Sequence, residues 1–306
     1  MKKILVHVGM QKTASSTFQK NFFKKSKLIY LNDEMKTNKN LQFLKQDLIK
    51  ITRGIKPNLD QLNKTYLDQF IKQTPYGVIL SHEGCSTLMG SRNGITYREK
   101  HEFVKNYLNF YFEKYSLLII MRKPSEWFRS IYKQRVKRGY YMDYDYFLSS
   151  DKKVKKMKID EKYQDIINLK KMDYFNFYEL FKGENQCEEI FLKYYEQINL
   201  KNYLNDLSYF FEFKDNSSKE NISVSDKYIK YYRLINFIYV NILNVLSYIL
   251  TRKIIKVTHQ KINRLLYKVF INLPNTKSIL IRSKQNIDDL NYLDQKYEKK
   301  KINEEN

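Results

Sequence analysis

The stretch ILVHVGMQKTASSTFQ, which runs from Ile4 to Gln19, decides the fold of this chain. Its first part, Ile4 to Val8, is a short apolar and largely β-branched run that ends at Gly9, and it predicts a buried strand. The polar residues that follow predict a turn, and Ser16 to Lys25 has the character of a helix. A strand that leads through a tight loop into a helix offers free backbone N–H groups and a positive dipole end. This stretch therefore predicts a cradle for an anion, with Lys12 inside it.

Two later segments repeat the pattern of an apolar strand followed by a helix. Tyr76 to Gly84 reads as a second buried strand, with an amphipathic helix at Arg98 to Phe112. Tyr115 to Gly139 reads as a third strand, a turn and a long helix. Alternating strands and helices predict an α/β fold with a parallel sheet flanked by helices, and the pattern after Tyr140 is mainly helical.

The domain organisation predicted from these patterns is one domain over residues 1–290. It has a nucleotide-binding core at about 1–140 and a mainly helical part at about 141–290. The charged residues 291–306 are predicted to form a solvated tail.

Composition limits the class of the protein. The 306 residues carry a formal net charge of +23, which favours an anionic partner but does not identify it. Part of this charge reflects a general bias in composition, because Lys is used heavily throughout the chain. Two Cys far apart and four His without metal-ligand spacing argue against a disulfide framework and a zinc site. The apolar segment Leu234 to Leu250 is interrupted by Asn residues, so it predicts a buried helix, with a membrane-surface helix as the alternative.

The loop after the first strand does not fit the Walker pattern of nucleotide triphosphatases. Counted from Gly9, the second Gly of that pattern is Ala14 and its Lys is Ser15. Lysine occurs earlier, as Lys12, and no later strand ends in a convincing Asp for magnesium. ATP hydrolysis is therefore disfavoured.

The ends of the three predicted strands carry charged residues. Lys12, Glu83 and Arg122 each lie in or just after a strand-ending turn. In open parallel sheets, ligands bind outside the carboxyl ends of the strands. We therefore expect these three side chains to converge on one edge of the sheet.

Two segments together resemble sulfotransferases that use 3′-phosphoadenosine 5′-phosphosulfate (PAPS). GMQKTASSTFQ resembles the family's 5′-phosphosulfate loop, which usually reads Pro-Lys-Thr-Gly-Thr, with Gln11 and Ala14 as departures. IIMRKPSEWFRSIYKQ resembles the 3′-phosphate motif, in which Arg122 ends an apolar strand and Ser130 lies on the next helix. The resemblance covers roughly the first 140 residues. Weaker similarity to bacterial glycan sulfotransferases follows in the C-terminal part.

This resemblance implies a P-loop-type fold and roles for individual residues. Lys12 would stabilise the charge that develops on the leaving phosphate, and Arg122 and Ser130 would hold the 3′-phosphate. The 5′-phosphate would be bound by the loop residues Thr13, Ala14, Ser15, Ser16 and Thr17. A core role for Trp127 is at least as well founded as a role beside adenine. No metal is required, because these cations and N–H groups do what magnesium does in kinases.

The acceptor must lose a proton, and LSHEGCS at the second strand end offers Glu83 and His82 as its base. The resemblance favours Glu83. Adjacent strand residues point to opposite sides, so we expect only one of them to face the cleft.

The sequence thus predicts a PAPS-dependent sulfotransferase that sulfates a hydroxyl of a carbohydrate or glycolipid. The resemblance implies a cytoplasmic bacterial enzyme that acts on a cell-surface polysaccharide, with possible peripheral association with anionic lipid at the inner membrane. Three alternatives remain open: another P-loop enzyme such as a kinase, a basic nucleic-acid-binding protein, and a degenerate PAP-binding relative. No nucleic-acid-binding module is visible, so no specific nucleic acid is expected. The acceptor and the oligomeric state stay open.

Overall fold

The computed structural model describes residues 2–10, 18, 19, 22–84, 95–137, 144–148, 169, 174–197, 207, 210, 233 and 284–305. The chain divides into two compact units. The first comprises residues 1–123, 173–221 and 303–306, and the second comprises residues 124–172 and 222–302. The first boundary between these units falls between Lys123 and Pro124.

The first unit contains a five-stranded sheet in the order β2-β3-β1-β4-β5, and every pair in it is parallel. Its strands are β1 (Lys3–His7), β2 (Ile29–Tyr30), β3 (Gly77–Ser81), β4 (Tyr115–Met121) and β5 (Cys187–Tyr194). The predicted α/β class with a parallel sheet flanked by helices is confirmed. The most N-terminal strand occupies the centre of the sheet, with β3 on one side and β4 on the other.

The central strands are buried on both faces. Every residue of β3 and of β4 is buried, as their continuous apolar sequences predict. One core cluster packs Leu5, Ile79 and Leu118 from three strands against Phe18 and Phe23 from the segment after the first loop. The chain that follows this loop is therefore anchored in the core.

Five α-helices of the first unit are described: α1 (Leu31–Thr37), α2 (Gln42–Thr52), α3 (Gln61–Gln73), α4 (Tyr97–Tyr111) and α7 (Asn176–Phe181). Asn32 to Lys50 has the apolar spacing of a helix, and the structure divides this segment between α1 and α2. There the side chain of Asn38 accepts a hydrogen bond from the backbone N–H of Asn40, which starts a 3₁₀ turn. Local side-chain bonding of Asn competes with the continuing helix, so the periodic pattern alone missed the break.

One glycine shapes the start of β3. Gly77 has φ of +129°, and a Cβ there would lie 1.9 Å from the carbonyl oxygen of Lys3. The backbone N–H of Lys3 donates to the carbonyl of Tyr76 next to it, at 3.1 Å. This close approach requires glycine, and it sets the β1–β3 register that pairs His7 with Ser81 at the other end.

The second unit contains α5 (Pro124–Lys137), α6 (Tyr144–Leu148) and α8 (Lys284–Glu305), the last of these through Ile302. Asp294 of α8 caps the start of α5, because its carboxylate accepts from the backbone N–H of Ser125 at 2.9 Å and from its hydroxyl at 2.6 Å. The predicted solvated tail therefore differs from the structure. Residues 291–305 continue α8, and Leu293 and Tyr297 in them are buried.

No helix in the described ranges is both long enough and apolar enough to cross a membrane. The predicted helix at Leu234 to Leu250 lies outside the described residues.

Candidate functional site

The carboxyl edge of the sheet gathers the residues that follow three strands. Beyond β1, the N–H groups of Val8 and Met10 donate to carbonyls of β4 at 3.0 and 3.4 Å. Beyond β3, the N–H of His82 donates to the carbonyl of His7 at 2.9 Å. Since all the strands are parallel, the chain leaves β1, β3 and β4 at one edge, with Glu83 and Arg122 at two of these exits.

The predicted phosphate loop itself lies outside the described residues. This applies to Lys12, Thr13, Ala14, Ser15, Ser16 and Thr17, whose roles stay predictions. The described residues locate both ends of this loop. Met10 enters it beside β4, and Phe18 leaves it as a fully buried residue whose ring centroid lies 6.1 Å from that of His7.

A polar cluster surrounds Ser81 at the last position of β3. The Ser81 hydroxyl lies 2.8 Å from Nδ1 of His7 and accepts from the Gln19 amide at 3.2 Å. Asn32 brackets the Ser81 backbone: its side-chain amide donates to the Ser81 carbonyl at 2.7 Å, and its side-chain oxygen accepts from the Ser81 N–H at 2.9 Å. Sequence analysis missed this cluster, although a histidine and a serine at the ends of two apolar strands were its visible signal.

His7 is a neutral member of this cluster. Its side chain is fully buried, and burial lowers its pKa to about 3. The imidazole is therefore uncharged across the physiological range, and its Nδ1 can exchange a hydrogen bond with the hydroxyl of Ser81 without a charge in the core.

The two predicted bases occupy different surroundings. Burial lowers the pKa of His82 to about 4, and its Cε1 lies 2.9 Å from where a Cβ on Gly84 would stand, next to Thr52 of α2. The ring of His82 thus packs against the backbone near α2. Burial is the largest cause that raises the pKa of Tyr30. The charges of Asp33 and of the half-buried Glu83 raise it further. A side-chain hydrogen bond with Ser81 opposes that shift, so Glu83 and the Ser81 hydroxyl act on the same tyrosine.

Arg122, at the end of β4, is held by the chain after β5. Its guanidinium carbon lies 4.5 Å from the ring centroid of Tyr195, a cation–π geometry. Its carbonyl accepts from the Tyr174 hydroxyl, and the N–H of Lys123 donates to the Glu196 carboxylate at 2.8 Å. Sequence analysis did not assign these supporting residues, because they lie on either side of β5, a strand that is distant in sequence. Tyr174 precedes this strand, and Tyr195 and Glu196 follow it.

Ser130 and Trp127 belong to the second unit, on α5. Ser130 is half-buried, and its pairing with Arg122 across one phosphate stays a prediction. Trp127 is fully buried, with its ring centroid 4.8 Å from that of Phe128. This burial favours its core role over a place beside adenine.

A surface cavity of about 440 Å³ lies at the other edge of the sheet, where the strands begin. Its described lining comprises Lys2, Lys3, Lys27, Leu28, Pro75, Tyr76 and Phe210. Ligands of parallel sheets bind at the carboxyl edge, so the size of this cavity does not make it the nucleotide site.

No model of a known protein family matches this sequence, and a search of curated proteins finds no similar sequence either. The functional argument therefore rests on the residues and their geometry.

Proposed function

We propose that this protein is a PAPS-dependent sulfotransferase that transfers a sulfuryl group to a hydroxyl of a carbohydrate or glycolipid. The observation that carries the proposal is the parallel register at the carboxyl edge. There, the two ends of the Lys12 loop, the Glu83 turn and Arg122 leave neighbouring strands on the same side. Among anion-binding functions, the resemblance of the Lys12 loop and of the Arg122 to Ser130 segment to the two phosphate motifs of PAPS-dependent sulfotransferases favours sulfuryl transfer.

The reaction needs a base, a cation and two phosphate sites. An acceptor oxygen forms a bond to sulfur while the bond from sulfur to the bridging phosphate oxygen breaks. The acceptor proton passes to Glu83, and the electron pair of the broken bond stays on the phosphate of PAP. Lys12 offsets the negative charge that grows there, which is the largest kind of contribution that a preorganised group makes to catalysis.

Glu83 is favoured over His82 as the base. The ring of His82 packs beside Gly84 and Thr52 of α2, and the resemblance of this strand end to the family favours a Glu as the base. The charge of Glu83 acts on Tyr30, which is hydrogen-bonded to Ser81. Glu83 therefore shares its surroundings with the cluster that Gln19, just after the loop, also joins.

Arg122 is proposed to read the 3′-phosphate of the donor. A guanidinium offers a bidentate fork to phosphate, and the ring of Tyr195, whose centroid lies 4.5 Å from the guanidinium carbon, limits where that fork can lie. If Arg122 binds the 3′-phosphate, its removal should weaken only ligands that carry this phosphate. A ligand that lacks the 3′-phosphate gains no affinity from Arg122 and should lose none.

Calorimetric titration tests the proposal. The wild type should bind PAP more tightly than ATP–Mg²⁺, and Arg122→Ala should weaken PAP by about 2 kcal/mol, the loss of a charge-assisted hydrogen bond. Binding of adenosine 5′-phosphosulfate, which lacks the 3′-phosphate, should change little. The control is Lys72→Ala, which removes one exposed positive charge at the C-terminal end of α3.

Three results would contradict the proposal. A preference for ATP–Mg²⁺ would favour a kinase or another P-loop enzyme. Salt-dependent binding of DNA without binding of PAP would favour a nucleic-acid-binding protein. Tight PAP binding without turnover of PAPS on any glycan acceptor would indicate a degenerate relative that binds the nucleotide without catalysis. Gln11 and Ala14, which depart from the usual sequence of the phosphate loop, are the reason to test for this outcome.

A further inference from the structure

Ser81 joins three separate segments of the first unit. Its hydroxyl is bonded to His7 at the end of β1 and to Gln19 after the loop, and its backbone is bracketed by Asn32 of α1. Gln19 and Asn32 are half-buried. Ser81 is 1 % exposed and His7 is 0 % exposed, so the bond between their side chains is made without competition from water. Hydrogen bonds in such surroundings are strong and costly to leave unmade.

The donors and acceptors of this cluster limit its proton arrangement. A serine hydroxyl has one proton to donate and two lone pairs that accept. The Gln19 amide donates to the oxygen, and the neutral His7 shares one hydrogen bond with it at 2.8 Å. The direction of that bond follows the tautomer of His7. In either direction, the hydroxyl of Ser81 joins the amide to the imidazole.

The position of this cluster connects the two halves of the proposed site. Gln19 is one of the first described residues after the Lys12 loop, and Met10 at the other end of the loop is bonded to β4. Ser81 stands immediately before His82 and Glu83. One hydroxyl therefore ties the exit of the anion loop to the strand end that carries the proposed base.

We propose that Ser81, together with Gln19 and His7, is a positioning residue that aligns the phosphate loop with the base at the end of β3. This inference rests on the proposed sulfotransferase function. None of the three side chains needs to touch the substrate. Their effect is exerted through the placement of the loop N–H groups, and a loop displaced by about 1 Å binds and reacts poorly.

The test compares two variants that each remove one buried hydroxyl from opposite ends of the β3 region. Ser81→Ala removes the centre of the cluster. Thr74→Val removes a hydroxyl that is 2.7 Å from the carbonyl of Ile71, just before β3 begins. Both should lower the melting temperature. Only Ser81→Ala should weaken PAP, by about tenfold, and lower the rate at which PAPS is converted to PAP.

A second variant guards against a Ser81→Ala protein that does not fold. Gln19→Met keeps the length of a half-buried side chain and removes the donor, so it should also weaken PAP by about tenfold. Combined with Ser81→Ala, it should add little, because both substitutions remove the same bond.

The outcomes separate the two proposals. If the wild type binds PAP and Arg122→Ala weakens it, but Ser81→Ala and Gln19→Met leave PAP affinity unchanged, the positioning role is wrong while the proposed function stands. Equal weakening by Thr74→Val would mean that the cluster acts only through stability, which also overturns the inference. A wild type that does not bind PAP would overturn both.

Discussion

At the scale of the residue, contacts from a distant part of the chain fix the two cations that follow β4. Arg122 and Lys123 are held by Tyr195, Tyr174 and Glu196 from the chain around β5. A guanidinium whose plane is set in advance loses less conformational entropy when it binds a phosphate. The sequence predicts Arg122 from its motif, whereas its supports depend on a parallel pairing of β4 with β5 that no local pattern specifies.

Lys12 carries the sharpest prediction at this scale. Lys12→Ala should lower the turnover of PAPS by about 100-fold or more, because it removes a preorganised charge from the breaking bond. PAP affinity should remain measurable, since the loop N–H groups and Arg122 still bind the two phosphates. The measurement is the release of PAP from PAPS beside a PAP titration, with the exposed Lys45→Ala on α2 as control. Turnover equal to that of the wild type would remove Lys12 from the catalytic step.

At the scale of the element, α4 shows a helix whose start is specified by its own sequence. Thr96 and Glu99 form a capping box: the Thr96 hydroxyl accepts from the Glu99 N–H at 3.1 Å, and the Glu99 carboxylate accepts from the Thr96 N–H at 2.7 Å. The apolar face of α4 buries Val104, Leu108 and Tyr111. Periodicity predicted this helix to within one residue at each end. It could not predict the polar cluster of Ser81, because that cluster exists only once β1, β3 and α1 have assembled.

The capping box predicts a stability effect that depends on pH. Thr96→Ala should lower the free energy of unfolding by about 1 kcal/mol at neutral pH. The hydrogen bonds from Thr96 hold the pKa of Glu99 below its ordinary value. A lowered pKa in the folded state stabilises the fold above the ordinary pKa of Glu, and this stabilisation is lost as the pH falls through the lowered value. Thr96→Ala keeps the backbone N–H bond to the Glu99 carboxylate, which is the largest cause of the lowered pKa, and removes the hydroxyl bond at 2.9 Å. The difference between the wild type and Thr96→Ala should therefore shrink in acid by the share of that hydroxyl bond.

Urea unfolding at neutral and acidic pH measures this effect. Thr65→Ala on the exposed part of α3 is the matched control, because it makes the same chemical change inside a helix, where Ala is the better helix former. A cost for Thr96→Ala that is the same at both pH values would mean that the bond from the Thr96 hydroxyl to the Glu99 carboxylate does not stabilise the cap.

At the scale of the whole molecule, the two ends of the chain differ in how far their local sequence predicts them. The N-terminal strand, which its apolar run predicted to be buried, lies at the centre of the sheet. The C-terminal residues, which are rich in charge, were predicted to be a solvated tail, and they instead form the last part of α8. The high density of charged residues led to the prediction of a solvated segment. Three apolar side chains at helical spacing nevertheless suffice to bury one face of this helix: Leu290, Leu293 and Tyr297.

This burial predicts that two tyrosines of α8 differ sharply in their effect on stability. Tyr297 is 1 % exposed and Tyr292 is 65 % exposed. Tyr297→Ala should lower the free energy of unfolding by about 3–5 kcal/mol, since it leaves a cavity of aromatic size in the second unit. Tyr292→Ala should change it by about 0.5 kcal/mol or less, as for exposed surface sites in general. Chemical denaturation of the two variants, followed by circular dichroism, gives the comparison. If both substitutions lowered the free energy of unfolding by the same small amount, residues 291–306 would behave as the solvated tail that their charge predicts. In that case α8 would not be a structural part of the second unit.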